Sequence, residues 1–222
     1  MLLFLVNSKG RMLTMKKALC LALAFILLIL SSCGSIIEKA EFTRGKTENN
    51  VYECGMLNIK FVPGPAWVFG EDEYILLQSG VDPDTLRDAD SVADQLNNLS
   101  TVYDMTAEDE SAGISVAVSF YNLSLYVGGR DTTEEEYAEQ LKLELAETFS
   151  DYNAEISDGG VKTIAGYDFK RIVVNLRIGD SDVEQCYYIK KLDGFMMSVS
   201  FTAAANDGTE DMILEMFSKT GA

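Results

Sequence analysis

The dipeptide Asp193-Gly194 lies between two runs of alternating apolar residues, and no other feature constrains the fold of this chain as strongly. Asp-Gly favours a two-residue type I′ turn, which fixes the register of the strands on either side. Counting outward from this turn pairs Leu192 with Phe195, Tyr188 with Val199, and Cys186 with Phe201, and only Lys190 opposite Met197 interrupts this apolar face. The sequence therefore predicts an antiparallel hairpin of 183–191 and 195–202 with Cys186 on its buried side.

Alternation of apolar and polar residues predicts further strands along the chain. They are expected at 57–61, 101–107, 113–123, 161–165 and 172–178, with a short extended piece at 67–69. Residues 71–78 fit either a helical turn or an edge segment, and the pattern does not decide between them.

Three helices are predicted. The strongest spans 133–149, where Thr133 with Glu136, or Thr132 with Glu135, forms a capping box ahead of an apolar stripe. Asp82 is expected to cap a helix from Pro83 to Asn97, and a last helix follows Asp207-Gly208. Strands followed by helices in this order predict an α+β fold, an antiparallel β-sheet packed with helices.

Several of these segments resemble the PsbP-like family, named for an extrinsic photosystem II subunit and shared by a Ran-binding nuclear import factor. The segments that carry the resemblance are 57–63 with Trp67, the helix 133–149, Ile164-Ala165-Gly166-Tyr167, and 185–201 with its central turn and closing helix. The resemblance covers about Val51 to Lys219 and implies an α/β/α sandwich. It implies a binding or assembly module and brings no catalytic motif.

The start of the chain has the pattern of a secretory signal. Thirteen apolar residues, Ala18 to Leu30, follow Lys16-Lys17 and precede small residues. A membrane-spanning helix needs about 20 apolar residues, so this run is too short for a stable anchor. Met12 or Met15 would give a more ordinary signal than Met1.

The segment Leu30-Ser31-Ser32-Cys33 resembles the lipobox of bacterial lipoproteins. The resemblance implies that residues 1–32 are removed and that Cys33 carries a diacylglycerol, which anchors the chain to the extracytoplasmic face of the bacterial cell membrane. Residues 33–50 are polar and charged, and we expect a lipidated cysteine followed by a flexible tether. Residues 51–222 then form one PsbP-like domain.

The net charge of the chain limits the kinds of partner that it can bind. The chain has 18 basic and 35 acidic residues; four of the basic residues and none of the acidic ones lie in 1–32, so the remainder carries −21. Such a surface repels phosphate backbones, and no nucleic-acid partner is expected. The charge itself is most simply explained by solubility, and binding of a cation or a basic partner is the less favoured alternative.

Residue types also limit the chemistry. The chain has no histidine, which excludes Ser-His-Asp and Cys-His nucleophiles and histidine-based zinc sites. Cys54 and Cys186 remain in the mature chain, and they form either one disulfide or two buried thiols. Neither has a CxxC partner, so redox catalysis is not expected.

Acidic clusters are the first candidates for a site. They lie at 71–73, 82–84, 88–90, 108–110 and 180–182, and none matches a twelve-residue calcium loop. Solvated loops are the simpler interpretation, and no metal is predicted. Trp67, Tyr103, Tyr121 and Tyr126 could line a pocket for a small solute or sugar, although such rings more often pack in a core.

No catalytic residue and no cofactor are predicted, because Walker-type, Rossmann-type and Gly-x-Ser-x-Gly patterns are absent. We therefore predict a non-enzymatic, membrane-tethered lipoprotein that binds a protein partner in an envelope assembly. The alternative is a lipid-anchored binder of a small solute or cation, and a hydrolase ranks third. The two leading alternatives differ in what they need: an exposed apolar patch for the first, and a concave cavity with convergent polar groups for the second.

Overall fold

The hairpin at Asp193-Gly194 forms with the predicted register, Leu192 opposite Phe195 and Cys186 opposite Phe201. The turn itself differs from the prediction. Only Gly194 has a positive φ, of 71°, whereas a type I′ turn needs a positive φ at both central residues. Glycine is needed at this one position, and a Cβ on Gly194 would lie 2.2 Å from the Cβ of Ala40.

The computed structural model describes residues 40–205 and 208–221, so the predicted signal and lipidation site at Cys33 lie outside the described residues. The strands are β1 (Lys46–Glu48), β2 (Val51–Glu53), β3 (Ile59–Phe61), β4 (Val68–Phe69), β5 (Thr101–Asp109), β6 (Ile114–Asn122), β7 (Glu155–Ile164), β8 (Tyr167–Ile178), β9 (Ser181–Leu192), β10 (Phe195–Ala204) and β11 (Phe217–Lys219). The helices are α1 (Asp72–Ser79), α2 (Ala89–Leu96), α3 (Glu134–Thr148) and α4 (Thr209–Glu215).

Two antiparallel sheets result. The large sheet has seven strands in the order β4-β5-β6-β10-β9-β8-β7, and the small sheet has four in the order β1-β2-β3-β11. One face of the large sheet packs against the small sheet and contains Phe120, Tyr188 and Phe201. The opposite face, with Ile172, Val174 and Met196, is covered by α3 through Ala138 and Leu145. This arrangement confirms the predicted α+β fold, an antiparallel sheet packed with helices.

The long helix α3 also agrees with its prediction. Thr133 is its N-cap, and its side chain and that of Glu136 complete the capping box. The hydroxyl of Thr133 accepts from the Glu136 N–H at 3.2 Å, and the Thr133 N–H donates back to Glu136 Oε2 at 2.9 Å. Reciprocal bonds of this kind satisfy two N–H groups that a helix start otherwise leaves unpaired.

The predicted tether of 33–50 ends too late, because its last part belongs to the folded domain. Phe42 is 7% exposed, and its ring lies 5.2 Å from that of Phe120 and 5.8 Å from that of Phe195. Asn49 and Asn50 both have positive φ values, 52° and 58°, and form the turn between β1 and β2. Asparagine tolerates this conformation better than most residues, so this dipeptide was a hairpin signal that the sequence-based prediction missed.

Three other boundaries differ. The predicted helix 83–97 is divided into a short 3₁₀ turn, Pro83–Thr85, and α2, because Asp82 caps the first and Asp88 caps the second. The short strand predicted at 161–165 is the end of the longer β7, whose Gly159-Gly160 pair accompanies a register shift against β8. Residues 71–78, for which the sequence pattern allowed a helical turn or an edge segment, belong to α1 (Asp72–Ser79) and its N-cap Glu71. No helix in 40–205 and 208–221 is long and apolar enough to cross a membrane.

Candidate functional site

A groove of about 810 Å³ lies between α1, α2 and the segment that leads into β1. We call it the Arg44 groove. Its floor is apolar and its rim is charged. The floor consists of Leu76, Leu86, Val92 and Leu96, and the charged rim of Arg44, Arg87, Asp72, Glu73 and Asp84. A groove of this size with an apolar floor and a few polar groups has the character of a binding site.

Hydrogen bonds from capping residues hold the walls of the groove in place. Asp88 accepts from the N–H groups of Asp90 and Ser91 at the start of α2. Gln95 connects α2 to the 3₁₀ turn, since its Nε2 donates to Thr85 Oγ1 at 2.6 Å and its Oε1 accepts from the Asp82 N–H at 2.8 Å. The Ser91 hydroxyl and N–H lower the pKa of Asp88, which therefore acts as an ionised cap.

Arg44 is the side chain that most suggests a ligand. Its Nη2 donates to Asp72 Oδ1 at 3.0 Å, across the groove from its own segment to α1. Its Nε is buried and has no hydrogen-bond acceptor among the described residues. Buried polar groups are nearly always satisfied, so an acceptor brought by a ligand or by water would complete this guanidinium.

Asp104 determines where Arg44 lies. This carboxylate is 3% exposed and accepts from the Gly45 N–H at 3.0 and 3.1 Å and from the Tyr52 hydroxyl. Burial raises the pKa of Asp104 above its usual value, although the Tyr52 and Gly45 bonds oppose this shift. The bonds fix Gly45, and therefore the neighbouring Arg44, against the large sheet. A lone acidic residue inside the apolar strand 101–107 was the sequence signal for this role.

All five acidic clusters lie within residues 40–205, which the structure describes. Among residues 40–205 and 208–221, no group of three or more Cys, Asp or Glu side chains converges in a way that could hold a metal ion. Asp82, Asp88 and Asp109 instead accept backbone N–H groups near them. The solvated-loop interpretation therefore fits three of the five clusters, with these side chains stabilising turns.

The aromatic candidates separate into different parts of the molecule. Trp67 is 5% exposed and packs edge-on against Phe61 in the core. Tyr103 lies on β5, and Tyr121 stacks on Tyr126 with ring centroids 5.4 Å apart. They do not form one cavity with Trp67.

A second groove, of about 500 Å³, lies over the part of the large sheet that α3 leaves open. Its sheet floor presents the hydroxyls of Thr106, Ser115, Ser200 and Thr202. Phe69 and Tyr74 stand at its side. This hydroxyl-lined groove could bind a neutral polar molecule.

Cys54 and Cys186 are free, buried cysteines in this structure. Burial raises the pKa of Cys186 to about 12, and burial also raises the pKa of Cys54. Cys186 Sγ lies 3.6 Å from Arg171 Nη2 and 3.7 Å from Glu184 Oε1. A thiol with a raised pKa is protonated at neutral pH and is a poor nucleophile.

Cys186 lies beside a partly buried ion pair between Arg171 and Glu210. Arg171 donates to Glu210 Oε2 and the Tyr188 hydroxyl donates to Glu210 Oε1, both at 2.7 Å. Gly159 makes room for this arrangement, since a Cβ there would lie 2.7 Å from Arg171 Cγ. The cluster links α4 to β8 and β9, which is a structural role.

We expect both thiols to be free in the mature protein. Labelling with a maleimide should modify neither Cys54 nor Cys186 in the native state, because both are buried, and both after denaturation without reductant. Mass spectrometry of the labelled peptides measures this. Labelling that requires a reductant would show a disulfide instead.

No family model and no curated protein matches this chain. Among solved structures, the chain is similar to cyanobacterial PsbP (CyanoP) from Synechocystis sp. PCC 6803, with 11% identity, 80% of this chain and 97% of that chain covered, and a TM-score of 0.48. It is also similar to LpqN, involved in cell envelope biogenesis of Mycobacterium tuberculosis, with 10% identity, coverages of 71% and 76%, and a TM-score of 0.34.

Proposed function

We propose that this chain is a lipid-anchored, non-enzymatic envelope protein that binds a segment of a partner protein in the Arg44 groove. The observation that carries the proposal is the apolar floor of the groove, where Leu86 and Val92 remain partly exposed, together with the two arginines on its rim. The signal pattern and the cysteine at its end support export and anchoring at Cys33 on the extracytoplasmic face of the cell membrane.

The groove chemistry indicates what the partner segment contains. Aliphatic side chains would cover Leu86 and Val92, which are only partly buried. A carboxylate beside them would meet Arg44 and Arg87, and it would supply an acceptor for the buried Nε of Arg44. A short segment with apolar residues next to Asp or Glu fits both requirements.

Site-directed crosslinking in the native membrane tests this proposal. A photoreactive residue at Ala93, exposed in the groove, should give one protein adduct, whereas the same residue at Leu143, 73% exposed on α3, should give none. Adding Arg87→Glu should reduce the Ala93 adduct by at least about ten-fold, because like charges would then oppose the partner's carboxylate. An adduct unchanged by Arg87→Glu, or equal adducts at both positions, would contradict a groove-specific partner.

The anchor is tested separately. Cys33→Ala should move the protein from the membrane to the soluble fraction, and mass spectrometry of the native chain should find lipid on Cys33. Retention of the Cys33→Ala protein in washed membranes would refute lipid anchoring at this residue.

The alternative function is binding of a small polar solute, and the hydroxyl-lined groove favours it. Ser200→Trp would fill that groove and leave the Arg44 groove intact. A saturable rise in melting temperature with a neutral sugar, lost in Ser200→Trp, would support the alternative.

A further inference from the structure

Three consecutive apolar side chains project from the loop that follows β6. Leu125, Tyr126 and Val127 are 41%, 47% and 107% exposed, and we call them the apolar tip. Scattered apolar residues on a surface are ordinary, but three in a row on one loop leave a contiguous patch in water. None of the functions proposed above uses this patch.

Hydrogen bonds and a ring stack order this loop, so the exposure of the apolar tip does not result from loose packing. Asn122 is completely buried, and its Oδ1 accepts from the N–H and the hydroxyl of Ser124. The ring of Tyr126 stacks on that of Tyr121 at an angle of 9°. At the far side of the loop, Lys191 Nζ donates to the Arg130 carbonyl at 2.6 Å. These contacts order the loop that carries the tip.

The tip lies at the end of the domain where the chain enters it. The Leu123 N–H donates to the Gly194 carbonyl at 2.9 Å, and Ala40 packs directly against Gly194. Arg130 Nη2 would lie 3.5 Å from a Cβ on Gly194. Ala40, the hairpin turn and the loop therefore share one end of the large sheet.

The length of chain before Ala40 limits how far this end can be from an anchor. Cys33 precedes Ala40 by seven residues, which span at most about 24 Å when fully extended. A diacylglycerol on Cys33 would therefore hold this end of the domain close to the lipid headgroups.

We propose that the apolar tip inserts into the interface of the membrane that carries the anchor, so that the domain stands with this end on the bilayer. Leu125 and Val127 would enter the acyl boundary, and the amphipathic ring of Tyr126 suits the headgroup level. Arg130 and Lys191 flank the tip, but the acidic Asp131 and Asp193 lie exposed at the same end. Apolar insertion rather than attraction to anionic lipid is therefore the driving force. This inference rests on the proposed anchoring at Cys33.

An environment-sensitive fluorophore tests the contact. Val127→Cys, labelled at that thiol, is compared with Ala112→Cys, which is exposed in the turn at the opposite end of β6. The nine residues of β6 separate the two positions by about 30 Å. Both native cysteines are buried, and the chain without an added cysteine measures their background labelling.

The protein is attached to vesicles in two ways, so that tip insertion and lipid anchoring at Cys33 are tested independently. The lipoprotein itself is reconstituted in phosphatidylcholine vesicles. In parallel, mature Cys33→Ala protein is held on phosphatidylcholine vesicles by an N-terminal histidine tag and a nickel-chelating lipid, which needs no native lipidation.

On either vesicle, the probe at 127 should shift to the blue and be quenched by a lipid-borne quencher at shallow depth, while the probe at 112 should not change. An unchanged probe at 127 on the nickel-tethered protein would overturn tip insertion, whatever is found at Cys33. Equal changes at both positions, or a change at 127 only when anionic lipid is present, would also overturn it. Failure of the native lipoprotein to associate, with success of the tethered arm, would refute only the anchor.

Discussion

Phe42→Ala is expected to lower the free energy of unfolding by about 3–4 kcal/mol, the cost of truncating a buried phenylalanine. Phe42 is 7% exposed and contacts the rings of Phe120 and Phe195, which lie on β6 and β10 of the large sheet. The alanine would leave a cavity between the entering chain and the sheet. Urea denaturation of the two mature proteins, followed by circular dichroism, measures the difference.

Glu48→Ala provides the matched control from the same segment. Glu48 is exposed in β1, and its truncation should change the free energy of unfolding by less than about 0.5 kcal/mol. If Phe42→Ala were as neutral as Glu48→Ala, residues 40–50 would be a flexible tether after all, as the sequence pattern first indicated.

Asp104→Leu is expected to destabilise the protein by about 3 kcal/mol. The substitution removes the acceptor of the Gly45 N–H and the Tyr52 hydroxyl, and each buried donor left without a partner costs about 1–3 kcal/mol. Asp104→Asn keeps one acceptor oxygen and should cost clearly less. Because Gly45 precedes the β1–β2 hairpin and follows Arg44, the leucine variant should also weaken the crosslink at Ala93. A leucine variant as stable as wild type would contradict this role.

The pH dependence distinguishes the charge of Asp104 from its hydrogen bonds. Burial raises the pKa of Asp104, so the folded state keeps its proton to a higher pH than the unfolded chain does. The resulting stability is complete below about pH 4, the unfolded pKa, and is lost as the pH rises through the folded pKa. Wild type should therefore lose stability relative to Asp104→Asn as the pH rises from about 4. Parallel urea titrations at several pH values measure this, and a difference that grows in favour of wild type would contradict it.

Local rules explain which parts of the fold were predictable. The register of β9 and β10 follows from the two-residue connection at Asp193-Gly194, since each pair outward from it is determined. The start of α3 follows from Thr133 and Glu136, whose side chains satisfy the backbone of their own turn. In both cases the residues that decide the structure lie within a few positions of one another.

Other features depend on contacts that the sequence pattern does not reveal. Phe42 has charged neighbours in the sequence, and it is buried only because it packs against Phe120 of β6 and Phe195 of β10. Asp88 interrupts the predicted helix at 83–97 because it caps the start of α2. An Asp inside a helical pattern does not by itself indicate whether it will act as a cap. The polar β7 is kept in the sheet by pairing with β8 rather than by its own apolar side chains.

The candidate site was the least predictable part. Arg44, Leu76, Leu86 and Arg87 come from separate segments, and each is ordinary where it stands in the sequence. These four residues come together only because α1 and α2 pack beside the segment that leads into β1. Asp104 was visible as a charge inside an apolar strand, but its partners, Gly45 and Tyr52, were not.

The small sheet brings the two ends of the described chain together, because β11 pairs with β3 through Phe217 opposite Phe61. Because Phe61 and Phe217 are far apart in the sequence, closing this pair requires a loop that takes in most of the described domain. A fragment that lacks either end of the described chain therefore cannot complete the small sheet.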